Sequence, residues 1–310
     1  MRFFKPLAVA STVATFLLVA IGGLVRATKS GLGCGTDWPH CSGKLLPELE
    51  QRAQIIEFSH RAVAGIVVIL LALLAVLAFR YFRDDRRILW SSVGAFGLVI
   101  FQALLGAVVV KLDLEASSVV LHLGTAMSLL ALLIYLDAGL IVAADTPTDR
   151  ALSRRSTIAA GSVLVLLLVG SYVSGRGAGL AFSDWPLMDG TVLPSLAIES
   201  NAIHFLHRAL AAIVGVIVAI AAFSVLRRKA EMPAAARLAL IGLGLFVVEV
   251  LIGAVNVFTR LNEVAVTAHH AVGAGIWASF VGLAVVTHPG LSERVTRGVA
   301  ARGTVAEASS

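Results

Sequence analysis

The chain has 310 residues, of which 58% are hydrophobic and 14% charged, with a mean hydropathy of +0.91 and a net charge of +6. Soluble domains carry roughly 25% charged residues, so this composition excludes an ordinary soluble globule and places the chain in a membrane. Cysteine occurs twice, at Cys34 and Cys41, which allows one intramolecular bridge.

A bilayer core of roughly 30 Å needs about 20 apolar residues per helix. Eight such windows run along the chain, at about 7–25, 60–82, 89–110, 118–142, 156–174, 203–226, 236–258 and 265–287. The first is preceded by Arg2 and Lys5, like the hydrophobic region of a signal peptide. Its internal counterpart at about 156–174 argues that it is a retained span. Beyond Pro289 the chain is rich in Ala, Gly, Ser and Arg without apolar periodicity, which predicts a disordered tail over 288–310.

Sixteen of the 25 Lys and Arg fall at the N-terminus, after spans two, four and six, and in the C-terminal segment. The other nine, among them Arg26, Lys29 and Arg61, lie on the opposite side or at its helix mouths. The positive-inside rule then predicts a multi-pass plasma-membrane protein with both termini cytoplasmic. This asymmetry accounts for the net positive charge, and no base-reading motif accompanies it, so no nucleic-acid partner is expected.

A duplication organises the spans. An offset of 147 carries Ser59-His60-Arg61 onto Leu206-His207-Arg208 and Asp37-Trp38-Pro39 onto Asp184-Trp185-Pro186. It also carries Lys29 onto Arg176, Pro47 onto Pro194, Leu105-Gly106-Ala107-Val108 onto Ile252-Gly253-Ala254-Val255, and His122 onto His269. The expectation is an all-α integral membrane protein of eight transmembrane helices, built as two parallel-repeat four-helix bundles without net insertions between the anchors. Its units are 1–145, 146–287 and the tail 288–310.

Each half owns two histidines at the outer mouths of its even-numbered helices. One histidine at a helix mouth can simply cap or snorkel. Four at equal depth, repeated in register, point to function, because ionisable groups inside a span are functional candidates. Zinc favours four converging ligands, often with thiolate or carboxylate, whereas two imidazoles suit the two axial faces of a haem iron. The reading is therefore one bis-histidine haem per half: His60 with His122, and His207 with His269. Lys29, Arg61, Arg176 and Arg208 are candidates to pair with haem propionates, against the alternative that they only mark the membrane interface.

The repeat fails at two places. Glu57, one helical turn before His60, has His204 as its counterpart, so the first half is expected to carry a carboxylate beside its presumed haem and the second half none. Glu57 can accept a proton or stabilise positive charge, or can serve as a helix N-terminal cap. Cys34 and Cys41 map onto Ala181 and Met188, so only the first outer loop has the pair. A structural bridge and a redox relay both remain open.

These residues resemble the haem A synthase family of cytochrome oxidase assembly, in its form with a cysteine pair in the first outer loop. The likeness covers residues 1 to about 287. It rests on the eight spans, Glu57-Phe58-Ser59-His60-Arg61, the Gly31–Cys41 loop with Asp-Trp-Pro, His122-Leu123-Gly124, His207-Arg208 and His269. Some members have a second cysteine pair in the third outer loop, which this chain lacks.

The resemblance implies an oxidoreductase that converts haem O to haem A by two successive hydroxylations of a ring methyl. The N-terminal half would hold haem O as substrate, with Glu57 catalytic and His60 and His122 on its iron. The C-terminal half would hold haem b on His207 and His269. Implied partners are the haem O synthase that supplies the substrate and a membrane electron acceptor; a homo-oligomer is compatible with the same reading. Two other classes fit the histidine pairs, a di-haem membrane cytochrome and a haem transporter. The lone Glu57 argues against the first, and the parallel halves, without broken mid-membrane helices, argue against the second.

Overall fold

The computed structural model describes residues 3–44, 46–48, 50–141 and 147–290. The tail predicted to be disordered lies almost wholly outside these residues, as do Arg2, Arg294, Arg297 and Arg302 from the charge argument.

Eight α-helices carry the described chain: α1 Phe4–Ala27, α2 Arg52–Tyr81, α3 Arg86–Lys111, α4 Ala116–Ile141, α5 Arg150–Gly175, α6 Glu199–Leu226, α7 Pro233–Phe258 and α8 Glu263–Val286. All eight are long and apolar enough to cross a membrane. The protein is therefore a multi-pass membrane protein, and backbone polar groups in the bilayer are satisfied within each helix.

In the first half α1 and α3 each pack on α2 and α4; in the second, α5 and α7 each pack on α6 and α8. The halves meet where α1 touches α8, α4 touches α5, and α4 touches α8. Two apolar cores result. One is built from α1–α4 around Leu71, Leu74, Leu133 and Leu136. The other gathers α5–α8 around Val214, Val218, Phe280 and Leu283 and takes in Met127 and Leu130 of α4.

The turns repeat with the helices. Ser42 and Gly43 have φ of 50° and 75°, and Asp189 and Gly190 have 53° and 74°. Asp113 and Leu114 are matched in the same way by Arg260 and Leu261, and the isolated bridge Cys41–Lys44 by Met188–Thr191. These all obey the offset of 147.

The first helix of each half does not. Thr28 closes α1 through its N–H to the Leu24 carbonyl, and Arg176 closes α5 through the Tyr172 carbonyl, an offset of 148. Gly31 packs against Leu114, and Gly179 against Leu261, again in the longer frame. The expectation of no net insertion is thus corrected: the first outer loop holds one extra residue between Cys34 and Asp37. Lys29 then matches Gly177 rather than Arg176, both with positive φ, and Cys34 matches Phe182 rather than Ala181. Cys34 and Phe182 fill the same place, each fully buried.

The arginine Arg26 ties the halves together. Its Nη2 donates to the Ser174 carbonyl at 2.7 Å and its Nε to Ser174 Oγ at 3.2 Å. Ser174 is Arg26's own counterpart in the longer frame, so the contact joins equivalent positions of the sequence repeat.

Candidate haem-binding site

His60 and His207 were expected to open their helices. The structure places each eight residues inside, because α2 begins at Arg52 and α6 at Glu199. Both helices start with a polar stretch that an apolar window does not register, and the backbone helix continues through it. His122 and His269 each lie six residues inside α4 and α8.

Each ring is seated against a glycine of the preceding helix. A Cβ at Gly22 of α1 would lie 3.3 Å from His60, and one at Gly106 of α3 would lie 3.2 Å from His122. In the second half Gly170 of α5 faces His207 at 3.0 Å and Gly253 of α7 faces His269 at 3.6 Å. Real Cβ atoms rarely come closer than 3.4 Å, so three of the four rings use space that only glycine leaves. The repeated Gly106 and Gly253 were visible in the sequence as anchors; their role as seats for imidazoles was not.

The Nδ1 atoms of His60, His122 and His207 are buried without a hydrogen-bond partner, an unfavourable state for polar atoms; that of His269 makes no well-aligned hydrogen bond, although a Glu249 oxygen lies 3.2 Å away. The ring centres of His207 and His269 are 6.5 Å apart. Two metal–nitrogen bonds of about 2 Å, with ring centres roughly 1.2 Å further out, require about 6.4 Å. His207 and His269 would by this spacing be able to hold one iron between them. Among the described residues no cluster of three or more His, Cys, Asp or Glu could hold a metal ion.

The neighbouring histidines have other occupations. His270 turns away from His207: its Nδ1 lies 2.8 Å from the Val266 carbonyl, and its Cβ presses on Gly23 of α1. His204 accepts a bond from Arg208 Nε at 3.1 Å and packs on the Phe182 ring at 5.3 Å.

The first outer loop is built around Glu57, which is 3% exposed. One carboxylate oxygen accepts from the Cys34 backbone N–H at 2.8 Å and the other from Arg61 at 2.5 Å. Arg61 also donates to the carbonyls of Asp37 and His40. Glu57 lies beyond the first turn of α2, which contains no acidic residue, so the helix-cap reading falls. Gly33 rests on the backbone of Ala53, where a Cβ would come within 2.5 Å. Cys34 and Cys41 form a disulfide and are 0% and 2% exposed. In the second half Arg208 reproduces the arginine's role, donating to the carbonyls of Asp184 and Leu187. There Phe182 and His204 stand in for the cysteine and the glutamate.

Of the four cations expected near the propionates, Arg61 and Arg208 stand on α2 and α6 next in sequence to His60 and His207. Arg208 keeps a buried Nη2 without a partner, and Arg61 lies one residue from His60. Arg176 is exposed and paired with Glu199 at 3.0 Å, which raises its pKa above the usual arginine value. Lys29 is exposed at the loop's start.

One residue was missed. Glu249, in the middle of α7, places Oε1 3.2 Å from His269 Nδ1. The second half therefore has a partly buried carboxylate of its own, on a different helix from the first, which corrects the expectation that only the first half carries one. The available signal was a charged residue inside an apolar span.

Fold and site together define a polytopic helical membrane protein, internally duplicated, with a glycine-seated histidine pair in each half. The family model described as "Cytochrome oxidase assembly protein", COX15-CtaA, matches residues 5–281, and the chain belongs to that family. It is similar to proteins named "Heme A synthase". That of Geobacillus kaustophilus is 30% identical over 275 residues, covering 86% of both chains. That of Symbiobacterium thermophilum is 28% identical over 304 residues, covering 93% of this chain and 97% of the relative. That of Staphylococcus haemolyticus is 28% identical over 267 residues, covering 84% and 87%.

Proposed function

We propose that this protein is a haem A synthase, an oxidoreductase that converts a ring methyl of haem O to the formyl group of haem A by two successive hydroxylations. Supporting this reading are the family match, the relatives' name and a half-buried histidine pair in each half of the chain. The observation that carries the site assignment is the 6.5 Å spacing of His207 and His269, which suits one iron.

In this reading the halves divide the work. The C-terminal half holds haem b through His207 and His269, and the bound haem supplies one-electron chemistry. The N-terminal half holds the substrate haem O through His60 and His122. Arg61 and Arg208 pair with propionates; Arg208 has a buried N–H to give. Glu57 is the catalytic carboxylate at the substrate's reacting edge. Arg61 and the Cys34 N–H hold that carboxylate one turn from His60 and keep it aimed by a water-excluding loop.

The disulfide serves as a staple in this scheme. Thiol exchange needs access to sulfur, and both sulfurs are enclosed beneath the loop. The protein resides in the plasma membrane with both termini cytoplasmic, where haem O enters laterally between helices from the haem O synthase.

Expression in a host that makes haem O but no haem A tests the activity. Haem A in the membranes is the expected result, and its absence beside folded, haem-loaded protein would overturn the proposal. A di-haem cytochrome would yield haem b alone.

A further inference from the structure

The two halves differ at the second partner of their histidines, in three positions that belong together. Glu249 of α7 occupies the place that Gln102 holds in α3, and the helix facing it carries Val272 and Gly273 where the first half has Thr125 and Ala126. In the first half the amide is turned away from the ring. Gln102 Nε2 donates to the His122 carbonyl at 2.8 Å, and its Oε1 accepts from the Thr125 hydroxyl.

In the second half Val272 offers no hydroxyl. The Glu249 carboxylate instead lies 3.2 Å from His269 Nδ1, and its other oxygen is buried without a partner. Gly273 provides the room, since a Cβ there would come within 3.1 Å of Glu249 Oε1 and 2.7 Å of Leu167. His269 also has the loosest glycine seat of the four rings, at 3.6 Å from Gly253, so the ring can turn to align its N–H with the carboxylate.

We infer that Glu249 is a positioning residue for the C-terminal haem, accepting the Nδ1 proton of His269 and lowering the midpoint potential of the iron bound to that ring. A carboxylate behind a metal-bound imidazole fixes its tautomer and raises its basicity, and a more basic axial ligand favours ferric over ferrous iron. No carboxylate stands behind His60, His122 or His207 among the described residues. The duplication has thus been edited so that one axial ligand of one haem is made more strongly donating. This inference rests on reading His207 and His269 as haem ligands.

Potentiometric titration of the purified full-length holoprotein, followed through the haem b absorption band, tests it. Glu249→Gln should raise the midpoint potential of that haem and alter its ferric low-spin electron paramagnetic resonance signature. Glu249→Asp, which keeps the charge but withdraws it from the ring, should give a smaller shift in the same direction. The second variant also decides the matter should Glu249→Gln fail to accumulate. Loaded protein whose potential and signature match wild type in either variant would make Glu249 a packing residue and overturn the inference. Failure of the underlying reading looks different: a low-spin haem b signal that survives His269→Ala.

Discussion

A buried carboxylate between an arginine and a backbone N–H can act on a substrate only while those partners hold it. Glu57→Gln retains the shape but places an amide NH2 against either the Cys34 N–H or the Arg61 guanidinium, both donors. Haem A formation should fall by at least the 10²–10³ range typical for removing one electrostatic catalytic group, while the haem b spectrum stays. Near-normal haem A output would reduce Glu57 to a loop anchor. At this scale the sequence displayed His60, His122, His207, His269 and Glu57 because they are unusual residues in repeated motifs. It did not display Glu249, whose meaning depends on an imidazole 20 positions later reaching it across a helix pair. Nor did it show that Glu57 is bonded to the loop, since that contact joins α2 to a segment whose path follows no periodicity.

At the scale of elements, the glycine seats set where α2, α4, α6 and α8 can place their rings. Gly170→Ala would bring a methyl to 3.0 Å from His207, forcing the ring or the α5–α6 packing to shift. The C-terminal haem should lose its low-spin spectrum or its occupancy, with the first half unaffected. The looser Gly253→Ala should be tolerated better. Unchanged spectra in Gly170→Ala would mean that the ring has freedom the packing does not suggest.

The first outer loop makes a second case. Replacing Cys34 and Cys41 by serine opens a short loop, which the chain-entropy argument values at roughly 2–3 kcal/mol. The variant should melt earlier and lose substrate-half occupancy before haem b. Abolished turnover with full occupancy and unchanged melting would instead favour the redox relay. The helix count was legible because eight apolar windows are strong signals. The helix starts were not, because α2 and α6 begin in polar sequence, and the one-residue slip before Asp37 was masked by a chance basic residue at 176.

The opposite end of the bundle has its own clasp. Asp149 caps α5 by accepting from the N–H groups of Ala151 and Leu152, receives Arg228 from beyond α6 at 2.5 Å, and donates its own N–H to Thr287 past α8. The Leu152 N–H and the Arg228 guanidinium hold its carboxyl below the usual carboxylate range. A depressed folded-state pKa contributes stability that is present above the unfolded value of about 3.9 and lost as pH falls through the folded one. Asp149→Ala should cost about 0.5–2 kcal/mol, as for other N-caps, measured by thermal melting in detergent. That deficit should shrink as the solution is acidified below the carboxylate range; a deficit independent of pH would point to backbone disruption instead.

For the whole molecule, duplication followed by divergence explains why two similar bundles would do different jobs. The shared parts are the histidines, their glycine seats and the arginine that braces each outer loop. The divergent parts are Glu57 with its disulfide loop in one half and Glu249 with Gly273 in the other. That division of labour is the central claim, and haem extraction from purified His60→Ala and His207→Ala proteins, made where haem O is supplied, tests it most directly. His60→Ala should retain haem b while losing haem O and haem A, and His207→Ala should lose haem b. Loss of haem b from His60→Ala, with His207→Ala keeping it, would contradict the account.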